Sequence, residues 1–473
     1  MKKFYLILPL LPLALFAHST TCDYALSFAG FNSYVSCGQA PSLHPESGLT
    51  VEAWIYTNDA SQNQKIAGNI DPFTFSGYEL AIDSGKLYCE VKDTIGVLNA
   101  FRAGSINSLE WTHVAFTFLV GGTMKGFING IEVISMPVSA TPIGNTGTTD
   151  FIMGAAPWDQ NFFVFNGLID EVRVFNTERP VDSIRKNMRI DISPLTSGLI
   201  GYWRFAEGVG TGTSDLSLSA NNGTLAGSIA PAWTGAEGPY GNGVSNLQIA
   251  TCCNPYFFTD AGFHMDVTSL SVTDTFVVSY IRCDPGGLQP TGSNAYAFGY
   301  WVIDRYGPAA PFSANYTFIV PPLSISTGDQ AMPTNIKLYH RLSNSTSAWL
   351  NLASAVSASS ATGEILFNAI TNTGMFSIGT TGNSPLAISG SLDFLNELSP
   401  YPNPANDVVK ICTSQPFKID VIRIFAFDGR LVFEQRIRNQ SEISIDVHNL
   451  TAGSYLIRGV GELNLMSRFE IIR

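Results

Sequence analysis

Asp170 and Glu171 stand side by side in GLIDEVRVFN (167–176), a run that otherwise reads as a β-strand. Paired carboxylates can serve as acid and base on a glycosidic bond, or can hold a hard cation. Either task needs both groups facing one cleft, roughly 5–9 Å apart for glycoside hydrolysis. Along a pleated strand, successive side chains point to opposite faces. Regular alternation therefore sets Asp170 with Leu168, Val172 and Val174, and Glu171 with Ile169, Arg173 and Phe175. Adjacency separates the two acids. Arg173 beside Glu171 also favours its ionised form, which makes a poor general acid. Asp170, on the more apolar face, is expected to be a buried hydrogen-bond acceptor. The run predicts strand chemistry and no catalysis.

Other candidates are weighed in the same way. In ELAID (79–83), Glu79 and Asp83 share a face, but Ala81 lies between them and Asp83 leads into the turn at Gly85. Jelly-roll glycosidases of the laminarinase type place acids at i, i+2 and i+4 of one strand, and neither run supplies that series. His113 in EWTHVAF lies opposite the Val114/Phe116 face, with no serine in a nucleophile-elbow context. GVGTG (208–212) has no following lysine and no strand-to-helix turn, so it is no phosphate loop. The seven cysteines (22, 37, 89, 252, 253, 283 and 412) form no CxxC pair and no Cys/His cluster, which speaks against zinc. A Cys22–Cys37 bridge stays open, as does one bridge among Cys252, Cys253 and Cys283. The best binding candidate is APWDQNFFVFNG (156–167). Trp158 and Phe162 offer ring faces for stacking on a sugar, and Asp159 and Asn161 offer partners for hydroxyls. No residue is assigned a catalytic or metal-ligating role.

The elements that must position these residues are short. Charged residues make up only 14% of the 473, aromatics reach 12%, and alternating runs are cut by Gly, Asn and Pro turns, so β-sandwiches in series are expected. GLTVEAWIYT (48–57) and EWTHVAFTF (110–118) alternate cleanly, and MKGFINGIEV (124–133) turns at Asn129-Gly130, a strong hairpin signal. One helix is expected in RPVDSIRKNMR (179–189), a strap with Ile184 and Met188 on one face. GPYGNGVS (238–245) and GNSPLAISGS (382–391) read as small, polar linkers. Two lysines before the apolar run Phe4–Ala17, itself broken by Pro9 and Pro12, predict a secretory signal over residues 1–19 that is too short to span a bilayer. No later run is long enough for a transmembrane segment. A net charge of −12 with no basic run of five excludes nucleic acid and anionic membrane surfaces as partners.

Taken in order, ALSFAGFNSYV (25–35), the 48–57, 110–118 and 124–133 runs, FNGLIDEVRVFN (165–176) and GYWRF…NNGTL…PAW (201–233) resemble the laminin G-like, concanavalin A-type jelly-roll domain of bacterial secreted proteins, over 22–238. The resemblance implies two curved antiparallel sheets that bind a carbohydrate or protein on one face or at the rim loops, sometimes with calcium. That family's opening strand usually has an acid before its glycine and another two positions before its valine. Ala29 and Ser33 occupy those places here, which removes carboxylates that calcium favours. No cofactor is assigned, and Ca2+ is the one candidate. Residues 244–385 alternate as a second β-sandwich module. Its end, ATGEILFNAITNTGMFSIG (361–379), resembles a module found beside sorting domains and implies a spacer or interaction role.

The last stretch carries Tyr401, Pro402, Asn403 and Pro404 in a YPNP entry, an Asp428-Gly429 hairpin, and Gly453 and Tyr455 in LTAGSY. Together these resemble the type A C-terminal sorting domain of the type IX secretion system, a small β-sandwich over 394–473. That implies a secretion translocon as partner, passage through the periplasm and delivery to the outer-membrane surface or the medium, with no chemistry in the domain itself. The expected protein is all-β, secreted and not an enzyme. Its laminin G-like domain is expected to bind an extracellular glycan or matrix protein in adhesion. The alternatives are a polysaccharide-acting enzyme and a passive surface structural component.

Overall fold

The computed structural model describes residues 23–471, except 74–75, 146–148, 283–293, 296–298, 309, 322–323, 345, 383–399, 402–406, 413–418, 427–430, 437–441 and 462–464. The expected signal at 1–19 lies outside the described residues. Strands hold 53% of the described residues and helix 5%, so the all-β expectation is met. The chain forms two compact units, Met1–Pro385 and Leu386–Arg473. Among the described residues, no helix is long and apolar enough to cross a membrane.

The first unit opens with a sandwich of two eight-stranded antiparallel sheets. The first sheet runs Ile131–Pro137, Thr123–Ile128, Trp111–Leu119, Gly48–Thr57, Asn166–Phe175, Asp23–Ala29 and Ala232–Ala236, with Leu199–Trp203 also on Asn166–Phe175. The second runs Gly212–Thr213, Gly223–Ala226, Tyr34–Ser36, Ile152–Met153, Gln64–Gly68, Tyr78–Asp83, Lys86–Lys92 and Leu98–Ala103. Alternation decides what lies between the sheets: Val51, Ala53 and Ile55 from one meet Leu80, Ile82 and Leu87 from the other. The Asn129-Gly130 turn forms as expected, with both residues at positive φ (51° and 73°). Cys37 and Cys89 are buried free thiols, and Cys252 is bonded to Cys253.

The outer face of the first sheet is also covered, because almost all of Gly48–Thr57 is buried. The cover is the Val181–Asn187 helix, whose Ile184 packs on Ala115 and Phe127. Beyond the helix, Met188 accepts the Trp54 indole hydrogen at 2.5 Å through its carbonyl.

A second sandwich follows, of seven and five strands around Phe276, Val278, Ile303, Phe318 and Phe376. The Gly-rich segment leading to it is packed. Tyr240 is 1% exposed, stacks on Trp54 with centroids 5.0 Å apart, and donates its hydroxyl to Asp170 Oδ2 at 2.8 Å. Arg189 crosses the seam: Nε and Nη2 donate to the two Asp304 oxygens at 2.5 and 3.0 Å, Nη2 also to Asn344 Oδ1 at 3.0 Å, and Nη1 to Pro239 O at 3.0 Å. Glycines and small polar residues mimic a flexible linker, but Pro239 and Tyr240 fill the gap between two sandwiches.

The second unit has a three-stranded and a four-stranded sheet around Val409, Ile422, Ile424, Ile445, Tyr455 and Ile457. Tyr455 donates its hydroxyl to Thr451 O at 2.8 Å, and Gly453 sits at φ +150°. Tyr401 lies in a strand opposite Lys410. Pro402, Asn403, Pro404, Asp428 and Gly429 lie outside the described residues, though the strands flanking the last two, Ile419–Ala426 and Leu431–Arg436, pair antiparallel.

Candidate ligand-binding face

The pleat argument for Asp170 and Glu171 needs correction. Against Gly48–Thr57, Ile169 faces Ile55 and Asp170 faces Trp54, but the next pair is Arg173 with Glu52. A β-bulge intervenes, with Glu171 at φ +51°. The bulge adds one residue and resets the alternation. Ile169, Val172 and Val174 therefore enter the core, while Asp170, Glu171 and Arg173 turn to the outer face. There the acids serve the cover. Asp170 accepts from Tyr240 and from the Glu171 amide at 2.8 Å. Glu171 Oε2 accepts from Arg173 at 2.5 Å and Tyr202 at 2.8 Å, and Arg204 reaches Oε1 at 3.3 Å. Glu52 beside them takes Arg179 at 2.6 Å. Burial alone raises the Glu52 pKa, but the charges of Arg179, His113 and Arg173 overcome it and hold the carboxyl at about 2. These carboxylates are spent on protein partners beneath the strap.

The open chemistry is on the outer face of the second sheet. Register aligns Lys65, Ala81, Tyr88 and Arg102 in one row across four strands, and Gly68, Glu79, Glu90 and Ala100 in another. Their alternates, Ile66, Leu80, Leu87 and Cys89, fill the core, which sets both rows outward. The 156–163 loop folds over one end. Asp159 Oδ1 accepts from the Asn161 amide at 3.0 Å, and the Lys65 amide donates to Phe163 O at 2.8 Å, which ties the loop to the sheet.

Trp158 and Phe163, edge-on at 6.2 Å, thereby join Tyr88 around the Lys65 ammonium, which lies 5.6, 5.2 and 5.5 Å from their ring centres. Cation–π attraction holds such a group together. Lys65 is also paired with Glu79, Tyr88 donates its hydroxyl to Glu90, and Arg102 pairs with Asp83 while lying 5.7 Å from the Tyr88 ring centre. Glu79 is 1% exposed and its Oε2 has no hydrogen-bond partner among the described residues. Burial pushes its carboxyl up to about 7 against the pull of Lys65, with Glu90 adding to the rise.

Of the residues singled out in the sequence, Trp158 lies in this cluster and Phe162 sits beside it, 55% exposed and 6.3 Å from Phe163. Asp159 and Asn161 brace the loop: Asn161 donates to Asp159, and its Oδ1 accepts from Asn32 at 2.9 Å. Lys65, Tyr88, Glu90 and Arg102 escaped sequence reasoning, and Glu79 was weighed only as a partner of Asp83. KLYCEVK (86–92) did hold a signal, since its polar face sets Tyr88 between Lys86 and Glu90. Among the described residues, no group of three or more His, Cys, Asp or Glu is placed to hold a metal ion.

Residues 28–185 match the family model described as the concanavalin A-like lectin/glucanases superfamily, and residues 399–472 match the secretion system C-terminal sorting domain. By the second match, the protein is exported through type IX secretion to the cell surface or extracellular space. No curated protein matches the chain. Solved structures similar to it include a putative carbohydrate binding protein from Bacteroides ovatus, at 19% identity and TM-score 0.38, covering 46% of this chain and 61% of that one. Another is the Ruminococcus gnavus IT-sialidase CBM40 bound to alpha2,3 sialyllactose (15% identity, TM-score 0.30, 34% and 94% covered). A third is the heptameric SAP-like pentraxin from Limulus polyphemus (14%, 0.27, 35% and 82%). The chain spans about three-fifths of the length of the first of these.

Proposed function

We propose that this exported chain, which carries a concanavalin A-like sandwich, binds an extracellular glycan on the outer face of the second sheet and serves in surface attachment. One observation carries the reading: Trp158, Phe163 and Tyr88 are gathered around a fixed cation next to Glu79 and Glu90. Sugars present apolar ring faces and hydroxyl edges, and this face offers aromatic planes and hydrogen-bond acceptors together. On this reading residues 22–238 bind, 244–385 brace the binding sandwich, and 394–473 serve export.

Trp158→Ala in the full chain is expected to weaken the affinity for any retained glycan by about 2 kcal/mol, roughly thirtyfold, as for a buried aromatic anchor. Phe162→Ala is expected to cost less, because that ring is the more exposed. Titration calorimetry on a glycan picked from an array checks both. Unchanged affinity in Trp158→Ala sinks the assignment of this face.

Glu79 and Glu90 do face each other on neighbouring strands, as the two acids of a retaining glycosidase do. Glu79, however, is buried behind Lys65, which keeps a glycosidic oxygen from reaching it. Retention without release of reducing sugar is the expected result. For export, deleting 394–473 is expected to trap the protein in the periplasm, as fractionation and surface labelling would read; normal surface display refutes that role.

A further inference from the structure

A cavity of about 240 Å³ lies on the other side of the same sandwich, where residues 178–181 of the strap face the strands Thr123–Ile128 and Ile131–Pro137. It is smaller than the roughly 300–1,000 Å³ of a drug-sized site, and matches a ligand the size of one long side chain. Register explains its lining. Phe127 faces Ala115 on one neighbouring strand and Glu132 on the other, so ring and carboxylate share the outer face, with Lys125 two residues back on that face. Phe127 and Val181 pack with Ala115 and Ile184, and Pro180 adds to this apolar wall.

The charges around the cavity are met, with one exception. Lys125 Nζ donates to Glu178 at 2.9 Å. Arg179 Nη1 donates to the buried Glu52 at 2.6 Å, and its guanidinium lies 4.2 Å from the Phe175 ring centre. Glu132 is exposed on the outermost strand of its sheet and has no partner among the described residues. An anion finds no such opening. It must draw Arg179 away from Glu52, which strands a buried carboxylate, or take Lys125 from Glu178 while lying against Glu132. A cation meets the free carboxylate directly, and an aliphatic stem behind it removes apolar surface from water.

We propose that this cavity binds an organic cation on an aliphatic stem, its ammonium or guanidinium against Glu132 and Glu178 and its methylenes on Phe127, Pro180 and Val181. Lysine and arginine side chains of a partner polypeptide share that chemistry with free amines. The glycan reading can fail without touching this site, and the reverse holds as well.

The test is ligand-observed NMR titration of the full chain with methylamine, butylamine, agmatine, and the acetylated amides of lysine and arginine, with butyrate as the anionic control. Butylamine is expected to bind at least about tenfold more tightly than methylamine, because only the longer stem reaches the apolar wall. Agmatine or the basic amides are expected to saturate with Kd about 1 mM, weakening several-fold between about 50 and about 500 mM NaCl. Glu132→Gln, on an exposed edge strand where the fold does not need the charge, is expected to lower affinity at least about fivefold. Val181→Phe fills the cavity without altering a charge and is expected to abolish binding. Tighter binding of the amides than of agmatine assigns a polypeptide source, and the opposite order assigns a free amine; both keep the site. No saturable binding of any cation up to about 20 mM overturns the proposal. So does affinity unchanged in Glu132→Gln, or butyrate binding more tightly than butylamine.

Discussion

Replacing Arg189 with Met is expected to destabilise the protein by about 3–5 kcal/mol, the cost of leaving a buried partner charge uncompensated. It should also divide the unfolding of the two sandwiches into separate transitions. Arg189 is 1% exposed, and all three of its guanidinium nitrogens reach acceptors at the seam, in two bonds to Asp304, one to Asn344 and one to Pro239. Its guanidinium also lies 5.4 Å from the Trp54 ring centre. Burial opposes the charge, but Asp304 outweighs it and raises the Arg189 pKa, so the group stays protonated across the working range. Removing it strands the Asp304 carboxylate in the seam. Changing both partners to apolar residues, as in Arg189→Met with Asp304→Leu, is expected to recover part of the loss, because a buried pair is replaceable while a buried single charge is not. Scanning calorimetry reads both results. A single transition at the original temperature in Arg189→Met refutes the lock.

The lock has a functional meaning. The strap, Tyr240 and the second sandwich all lie on the outer side of the first sheet, behind the core. The proposed ligand face belongs to the other sheet, on the opposite side of the same sandwich. Bracing at the back thus leaves the proposed face free of the strap and of the second sandwich. On the proposed reading, the middle module would stiffen the binding sandwich through the Arg189–Asp304 contact.

What was legible in the sequence was local. Alternation in 48–57 and 110–118, the Asn129-Gly130 turn and the Ile184 strap face all depend on residues within a few positions of one another, and they appear as read. The bulge at Glu171 was not legible. IDEVRV alternates acceptably in either parity, and only the register against Glu52 and Trp54 selects one. The aromatic cluster was half legible: a loop with Trp158 and two phenylalanines announces itself, but Lys65 and Tyr88 come from strands whose pairing is set at long range. Tyr240 was hidden for a compositional reason, one large ring among glycines.

Acid is expected to act on the same covered side, with a sign set by the groups facing Glu52. Its folded carboxyl lies at about 2 against an ordinary 4.5, with Arg179, His113 and Arg173 packed against it. A depressed acid contributes stability that is fully present above its unfolded pKa and is lost as pH falls through the folded one. The window is therefore from 4.5 down to about 2, and the difference amounts to about 3 kcal/mol. His113 acts in the same direction at higher pH: burial lowers its pKa from 6.5, so the unfolded chain takes up that proton first as pH falls. Glu79 acts oppositely. Its carboxyl is raised to about 7, so stability is lost as pH climbs from 4.5 through about 7. Urea unfolding between pH 2 and 9 should thus show losses at both ends. Glu52→Gln is expected to cost about 3–5 kcal/mol at neutral pH, by leaving Arg179 and Arg173 under-compensated, and to make the limb below 4.5 shallower. Glu79→Gln should flatten the opposite limb. An acid limb as steep in Glu52→Gln as in the unaltered protein would assign that loss to other carboxylates and remove Glu52 from the account.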